Sequence, residues 1–443
     1  MKNWLVGFCL ALSISGCSDS AEPKPKPFIQ SPLPEIAAFD TRRIESPLVV
    51  EGDEEVARVV EILSKNLIAG YAGDGSLGPF GETNDRFSHH VFWDADVWVF
   101  PVLAFLDPES ARRIPAFRLR TAQAAQRNFL KWKNEGYPTA KQTSHQPMPE
   151  LTRLTQATPA MFPWEAKADG TEGSPSDTVF EHHVTGGVAW MLDKAIQLDL
   201  CDRVTAEKVI DQCASFYLHR LAKNPDGSYG ILNVVSPSEW HTVNNDLYTN
   251  AIADWTIRRS LGSDKWPHGK VRLPRRGNFF ATFDDDNKQQ YQQAAALLAV
   301  YPLEHELVIP ESRKMLESYR NRTAEFGPAM SRSINAVIAV KSGLVEQSLE
   351  EWRLAWEPYS RDLAKEFREK PIYGESYFLT GAAAALHVFI FGYLDMEFPP
   401  DPRGFKEDGL VTKFDRLPRR IKRVTLRTQV RGADYLIVSK QAD

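Results

Sequence analysis

The strongest restriction on the fold is a helical hydrophobic period that returns along the chain and is interrupted each time by a loop rich in polar and aromatic groups. Over 54–67 the apolar positions Val56, Val59, Val60, Leu63 and Leu67 recur at helical spacing, and Gly70 ends the run. Glu181-His-His183 opens another such run through Val188, Met191, Leu192 and Ile196, and further helices are expected over 206–217, after Gly327, over 344–359 and through Gly392. Helices of this kind bury a common core, while loops at one end of them are free to carry chemistry. The period changes only near the end. Val424-Thr-Leu-Arg-Thr-Gln-Val430 and Tyr435-Leu-Ile-Val-Ser439 alternate like strands around Gly432, which predicts a short β-hairpin capping a mainly α domain.

A chain of 443 residues with 43% apolar and 11% aromatic content has enough to bury a large core and excludes disorder. Its net charge of -5, with acids and bases interspersed, gives no footing for a nucleic-acid partner. The first residues read as a targeting segment: Met1-Lys-Asn is a short basic start, 4–14 is an apolar run too short for a stable span, and Ile14-Ser-Gly-Cys17 closes it. That ending resembles a bacterial lipobox. It implies cleavage before Cys17, acylation of its thiol, and a protein held at the periplasmic side of the envelope, with the outer membrane favoured. Residues 1–17 are then a signal peptide and 18–45 a proline-rich tether, leaving 46–400 as the main domain and 401–443 as a β-rich tail. Cys201 and Cys213 are left as thiols that either pair or serve as small core residues.

Chemistry concentrates in Pro237-Ser-Glu-Trp-His241 and the following Asn245-Asp-Leu-Tyr-Thr-Asn250. Glu239 lies between a proline turn and the indole of Trp240. An apolar wall disfavours a charged carboxyl, so this glutamate is suited to keep its proton near neutral pH and act as a general acid. The same residues also read as a helix start, with Ser238 or Asn245 as the N-cap and Glu239 on a solvated first turn.

These residues resemble the Pro-Asp-Glu-Tyr-His... Asn-x-x-Tyr-Thr-Asn block of glycoside hydrolase family 65, whose members are inverting enzymes of α-glucosides, some hydrolases and some phosphorylases. In that family the glutamate is the general acid. Phe87-Ser-His-His-Val-Phe-Trp-Asp-Ala-Asp96 is similar to the block in which an aromatic and an aspartate, here Trp93 and Asp94, grip the glucose. Phe162-Pro-Trp-Glu-Ala166 and Glu181-His-His183 are similar to further blocks, which adds Trp164, Glu165, Glu181 and His183 to the sugar site; His241, Asn245 and Gln293 complete it. Lys370-Pro-Ile-Tyr-Gly-Glu-Ser-Tyr-Phe-Leu-Thr-Gly381 resembles the hydrolase branch, in which a glutamate, here Glu375, is the general base. A carboxylate there repels a phosphate dianion, so Glu375 favours water over phosphate. The sequence departs from the family at Ser238 for aspartate, Gln292 for lysine and Ala295 for aspartate. Too few residues precede Glu54 for the family's large N-terminal β-sandwich, which is expected to be absent.

The resemblance implies an (α/α)6 barrel and an inverting α-glucosidase acting on α-linked, and in the nearest hydrolase branch α-1,2-linked, glucose. Inversion needs the two carboxyl groups roughly 6.5–9.5 Å apart to admit a water. No cofactor is called for. A zinc site at His182 and His183 is disfavoured, because no second pair at ligand spacing accompanies them.

Overall fold

Apolar residues all round a helix mark it as interior, and a one-sided stripe marks it as peripheral. The computed structural model sorts the helices by this rule. It describes residues 39–71, 75–76, 78–81, 86–134, 154, 157–174, 180–239, 242–293, 295–371, 377–398, 410–414 and 416–441, all within one compact unit, Glu35–Asp443. In chain order the helices longer than a single turn are α1 (Glu54–Gly70), α2 (Phe100–Leu106, entered through a π turn at Ala95–Val99), α3 (Arg113–Arg120), α4 (Ala122–Asn134), α5 (His183–Gln197) and α6 (Arg203–Arg220). They continue as α7 (Leu247–Leu261), α8 (Ser312–Tyr319), α9 (Ser333–Lys341), α10 (Val345–Trp356) and α11 (Leu379–His387, prolonged by a π segment Val388–Tyr393).

Helices α2, α5, α7, α9 and α11 are buried along most of their length, as is the 3-10 turn Ala295–Ala299. These six segments form a closed ring: the π turn of α2 packs on α5, α5 on α7, α7 on the 3-10 turn, that turn on α9, α9 on α11, and α11 back on the π turn. The peripheral helices α1, α3 with α4, α6, α8 and α10 alternate with them in the chain and fill the gaps outside the ring. This is the expected (α/α)6 barrel. Its one irregular position is 262–293, where a sixth outer helix would stand; turns and a short ladder of Arg275–Arg276 with Phe279–Phe280 run there instead. Trp266 anchors that stretch, buried and donating its indole N–H to Asp254 of α7 at 2.8 Å.

Helix α1 starts where Asp53 accepts from the backbone N–H groups of Glu55 and Val56, an N-cap with Glu54 and Glu55 favourably placed in the first turn. Gly70 is its last residue, as expected, but its conformation is ordinary. What the glycine permits is close approach, since a Cβ there would stand 2.4 Å from Leu379 Cδ1 of α11.

The expected hairpin belongs to a larger sheet. Strands β1 (Leu48–Glu51), β2 (Leu410–Phe414), β3 (Arg423–Val430) and β4 (Ala433–Lys440) lie in the order β1-β3-β4-β2. The β3-β4 turn places Arg431 and Gly432 at φ 53° and 78°, the two left-handed positions of a tight hairpin. β1 pairs antiparallel with β3, with Val50 opposite Val424, and β2 pairs parallel with β4. Leu48, Val50, Val424, Leu426 and Ile437 are buried, and β3 packs on α2. Cys201 and Cys213 are free thiols, the second in the core on α6.

Candidate active site

Because outer and inner segments alternate along the chain, every inner segment begins at the same end of the barrel, and the loops leading into them meet there. Asp94 directly precedes the π turn of α2; Glu181 and His183 open α5; Asp246 caps α7; Gln292 and Gln293 precede the 3-10 turn; Thr380 lies in the first turn of α11. Partial positive charge at helix N-termini makes this end hospitable to carboxylates.

Glu239 stands on a turn between the paired segments Val234–Val235 and Thr242–Val243. Its N–H donates to Ser236 O at 2.7 Å and its φ is +57°, a left-handed conformation that is uncommon for a glutamate and typical of residues aimed by a constrained loop. Its two oxygens receive different amides: Gln293 Nε2 donates to Oε1 at 2.8 Å and Gln292 Nε2 to Oε2 at 2.9 Å. The residue at 292 therefore supplies a neutral donor where the resemblance expects a lysine. Ser238 also has a use, since its Oγ accepts from the backbone N–H of Gln292 at 3.3 Å. Burial pushes the Glu239 carboxyl up to about 7, opposed by the Lys370 ammonium and the Gln293 hydrogen bond and aided by the charge of Glu369. A carboxyl that keeps its proton to near neutrality can deliver it to a leaving oxygen.

Asp94 is buried and accepts from Thr380 Oγ1 at 3.0 Å. Burial, with the charges of Glu369 and Glu239 adding to it against the Thr380 bond, raises it to about 7. Glu181 and His183 form a buried pair at 3.0 Å. Burial lowers the imidazole to about 3, so it is neutral at pH 7, and drives the glutamate well above its usual range, with Glu239, Asp246 and Asp94 contributing to the latter. Trp93 stands edge-on to His183, with centroids 4.8 Å apart. Trp164 and Glu165 are brought in by a ladder that sets Phe92 opposite Glu165; Trp164 meets Phe92 edge-on at 5.0 Å and Glu165 Oε1 lies 2.6 Å from His90 Nδ1.

Four buried polar atoms in this group lack a partner among the described residues: Glu181 Oε1, His183 Nδ1, Gln293 Oε1 and Trp164 Nε1. Buried polar atoms are nearly always satisfied. Such open donors and acceptors, with the Trp93 indole edge-on to His183, are what a polyhydroxylated ring with an apolar C–H face would occupy.

Asn245 does not join the group. Its amide donates to Asp284 at 2.7 Å and accepts from Asn250 at 3.1 Å, and the N-cap of α7 is Asp246, which accepts from the Thr249 N–H at 2.8 Å. Trp240, His241, Glu375 and Cys17 lie outside the described residues. Thr380, Glu369 and Lys370 were not singled out from the sequence. All three fall in or beside the block containing Glu375, but Thr380 and Asp94 are 286 positions apart, a pairing that no local pattern announces.

Residues 67–273 match the glycosyl hydrolase family 65 central catalytic domain. The family 65 segment contains Asp94, Glu181 and Glu239, while Gln293, Glu369 and Thr380 follow it in the chain. Over 414 residues the chain is 25% identical to the kojibiose hydrolase of Mucilaginibacter mallensis, covering 86% of this chain and 55% of that protein. It is 29% identical over 279 residues to the protein-glucosylgalactosylhydroxylysine glucosidase of Mus musculus, covering 58% and 37%. The kojibiose phosphorylase of Caldanaerobacter subterraneus is 27% identical over 248 residues, covering 51% and 29%. The chain thus spans about half the length of the first of these relatives. A solved structure of a putative kojibiose phosphorylase from human microbiome has the same fold, with TM-score 0.67 at 15% identity over 89% of this chain and 62% of that one.

Proposed function

We propose that this chain is an inverting α-glucoside hydrolase in which Glu239 protonates the glycosidic oxygen and Glu375 activates the water. The observation that carries the reading is the Glu239 carboxyl, gripped on both oxygens by amides and pushed up to about 7 among buried neighbours. The open polar atoms of Glu181, His183 and Gln293, with Trp93 and Asp94 beside them, supply the sugar-binding wall. Kojibiose is the first substrate to try, because two of the similar proteins are named kojibiose hydrolase.

A phosphorylase is the rival within the same family, and a sugar-binding protein without turnover is the rival outside it. Glu375 argues against the first, since a carboxylate at the position where the phosphorylase branch would take phosphate repels that dianion at close range. The second lacks a reason for Glu239 to hold its proton near neutrality.

The test is incubation with a panel of α-glucosyl disaccharides, with and without phosphate, while the anomer of released glucose is followed by NMR. Early β-glucose and indifference to phosphate are expected. An α-anomer or glucose 1-phosphate would remove the reading, and binding without release would favour the non-catalytic rival. Ile14-Ser-Gly-Cys17 further supports attachment to the periplasmic side of the envelope through an acylated Cys17. Labelled fatty acid should enter the wild-type protein and not Cys17→Ser.

A further inference from the structure

We propose that Ser238 and Gln292 act as one neutral positioning unit for the candidate acid, the serine hydroxyl fixing the Gln292 backbone and the Gln292 amide holding Glu239 by Oε2. The inference rests on the reading of Glu239 as the acid and adds to it how the carboxyl is aimed.

The unit is a closed loop of contacts. Ser238 Oγ accepts from the backbone N–H of Gln292 at 3.3 Å, and Gln292 Nε2 donates back to Oε2 of Glu239, the residue next to Ser238, at 2.9 Å. Each half is anchored from behind. The Ser238 N–H donates to Ser236 Oγ at 3.3 Å and the Glu239 N–H to Ser236 O at 2.7 Å. On the other side Tyr291 N donates to Arg322 O at 2.7 Å and Ala324 N to Tyr291 O at 2.9 Å, and the turn that follows is closed by Gly327 N on Ala324 O at 3.0 Å. A Cβ on Gly327 would stand 2.4 Å from Gln292 O, so the glycine lets this turn press directly on the Gln292 backbone. Gln293 completes the grip from the adjacent position, donating to Oε1 at 2.8 Å.

Ser238 and Gln292 are also two of the three positions at which the sequence departs from the family 65 pattern, which has aspartate and lysine there. Contact between them turns two separate departures into one exchange: an anion and a cation leave together, and the net charge beside Glu239 is unchanged. The exchange has a chemical sense. An ammonium at hydrogen-bond distance pulls a carboxyl toward its ionised form far more than an amide does. Amide donors on both oxygens still suit the carboxylate that remains once the proton has gone to the leaving oxygen, and they leave the acid able to hold that proton near neutrality. Among the described residues, the other charges bearing on Glu239 are those of Lys370 and Glu369, and Asp94 and Glu181 respond to it in turn. All four are common to the variants below, so they drop out of the differences.

The test is a carbon-13 NMR titration of glutamate side-chain carboxyls in the full protein, with the Glu239 resonance assigned by its loss in Glu239→Gln. Gln292→Lys should move the Glu239 midpoint downward by about one pH unit or more, the effect of an opposite charge within reach. Ser238→Asp should move it upward, and Ser238→Asp/Gln292→Lys should bring it back toward the wild-type value. A merely structural role for the loop would not reverse sign with charge. An unmoved midpoint in Gln292→Lys, or a double variant that matches Gln292→Lys alone, would overturn the proposal. If the charged variants do not fold, Gln292→Met and Ser238→Ala decide: each should raise the midpoint, and together they should raise it no further than the larger single effect, whereas additive shifts or none would overturn it. The titration needs no turnover, so absence of glucose release would count against the hydrolase reading while leaving this result to stand or fall alone. Where turnover is present, Gln292→Met should lose roughly tenfold more on kojibiose than on α-glucosyl fluoride, whose departure takes no proton. Equal losses on the two substrates would assign Gln292 to holding glucose and overturn the proposal.

Discussion

Glu239 combines a left-handed backbone, two amide donors and a carboxyl held near pH 7, and each feature has a measurable consequence. Glu239→Gln should lower disaccharide hydrolysis by roughly 10²–10⁴-fold, the usual weight of general acid catalysis. The same variant should retain much of its activity on α-glucosyl fluoride, whose leaving group needs no proton. Glu375→Gln should lose both, because the water is then unactivated whatever departs. Equal losses on the fluoride would refute this division of roles. Thr380 offers a second test at this scale. Thr380→Val removes the donor that stabilises the Asp94 carboxylate, so the Asp94 pKa should rise further and glucose should bind more weakly by about tenfold, the worth of one hydrogen bond to a charged group. Calorimetry with glucose, run above and below pH 7, would reveal the change.

Between elements, buried polar links set how the inner segments meet. Arg118 of α3 donates to Asp96 through Nε at 2.9 Å and Nη2 at 2.6 Å, and Nη2 also reaches Phe92 O at 3.1 Å. Both side chains are almost wholly buried, and together they hold the segment on which Trp93 and Asp94 sit. Breaking one side leaves an uncompensated charge, so Arg118→Leu should cost about 3–5 kcal/mol in denaturant unfolding, whereas Arg118→Leu with Asp96→Leu should recover much of it. Within the core, His387 Nε2 donates to Trp98 O at 2.8 Å. Burial lowers this imidazole to about 4, so it is neutral and Nδ1 is an acceptor for Tyr301 Oη at 2.6 Å. One histidine thus joins α11 to the π turn of α2 and to the chain just after the 3-10 turn.

For the whole molecule, the buried carboxyls make stability depend on pH. Asp94 and Glu239 near 7, Asp246 near 6 and Glu181, driven well above its usual range by burial, all have folded pKa values above their unfolded ones near 4. A raised pKa contributes stability that is fully present below the unfolded value and lost as pH climbs through the folded one. His183 and His387 work the other way, since their lowered values cost stability as pH falls below about 6.5. The carboxyls outnumber these two histidines, so stability should decline from about pH 5 to pH 8. The melting temperature should fall across that window, and Glu239→Gln should flatten the fall. A melting temperature that rises steadily from pH 5 to 8 would contradict the protonation states assigned to the site.

What the sequence determined by itself was local or periodic. The helical spacing of Val56, Val59, Val60, Leu63 and Leu67 specifies an amphipathic helix within one window, and the alternation around Gly432 specifies a hairpin, because side-chain direction repeats with the backbone. Blocks such as Phe92-Trp-Asp94 and Pro237-Ser-Glu239 were legible as chemistry in the same way. Tertiary structure alone decided what those residues meet. It recruited Leu48–Glu51 to the sheet some 370 positions away, put Thr380 on Asp94, and set Gln292 and Gln293 on Glu239. It also spent Asn245 on Asp284 and Asn250 inside the scaffold. The reason is that pKa and pairing depend on burial and on charges a few ångströms off. Those distances are fixed only when six inner segments close into a ring and bring their leading loops to one end.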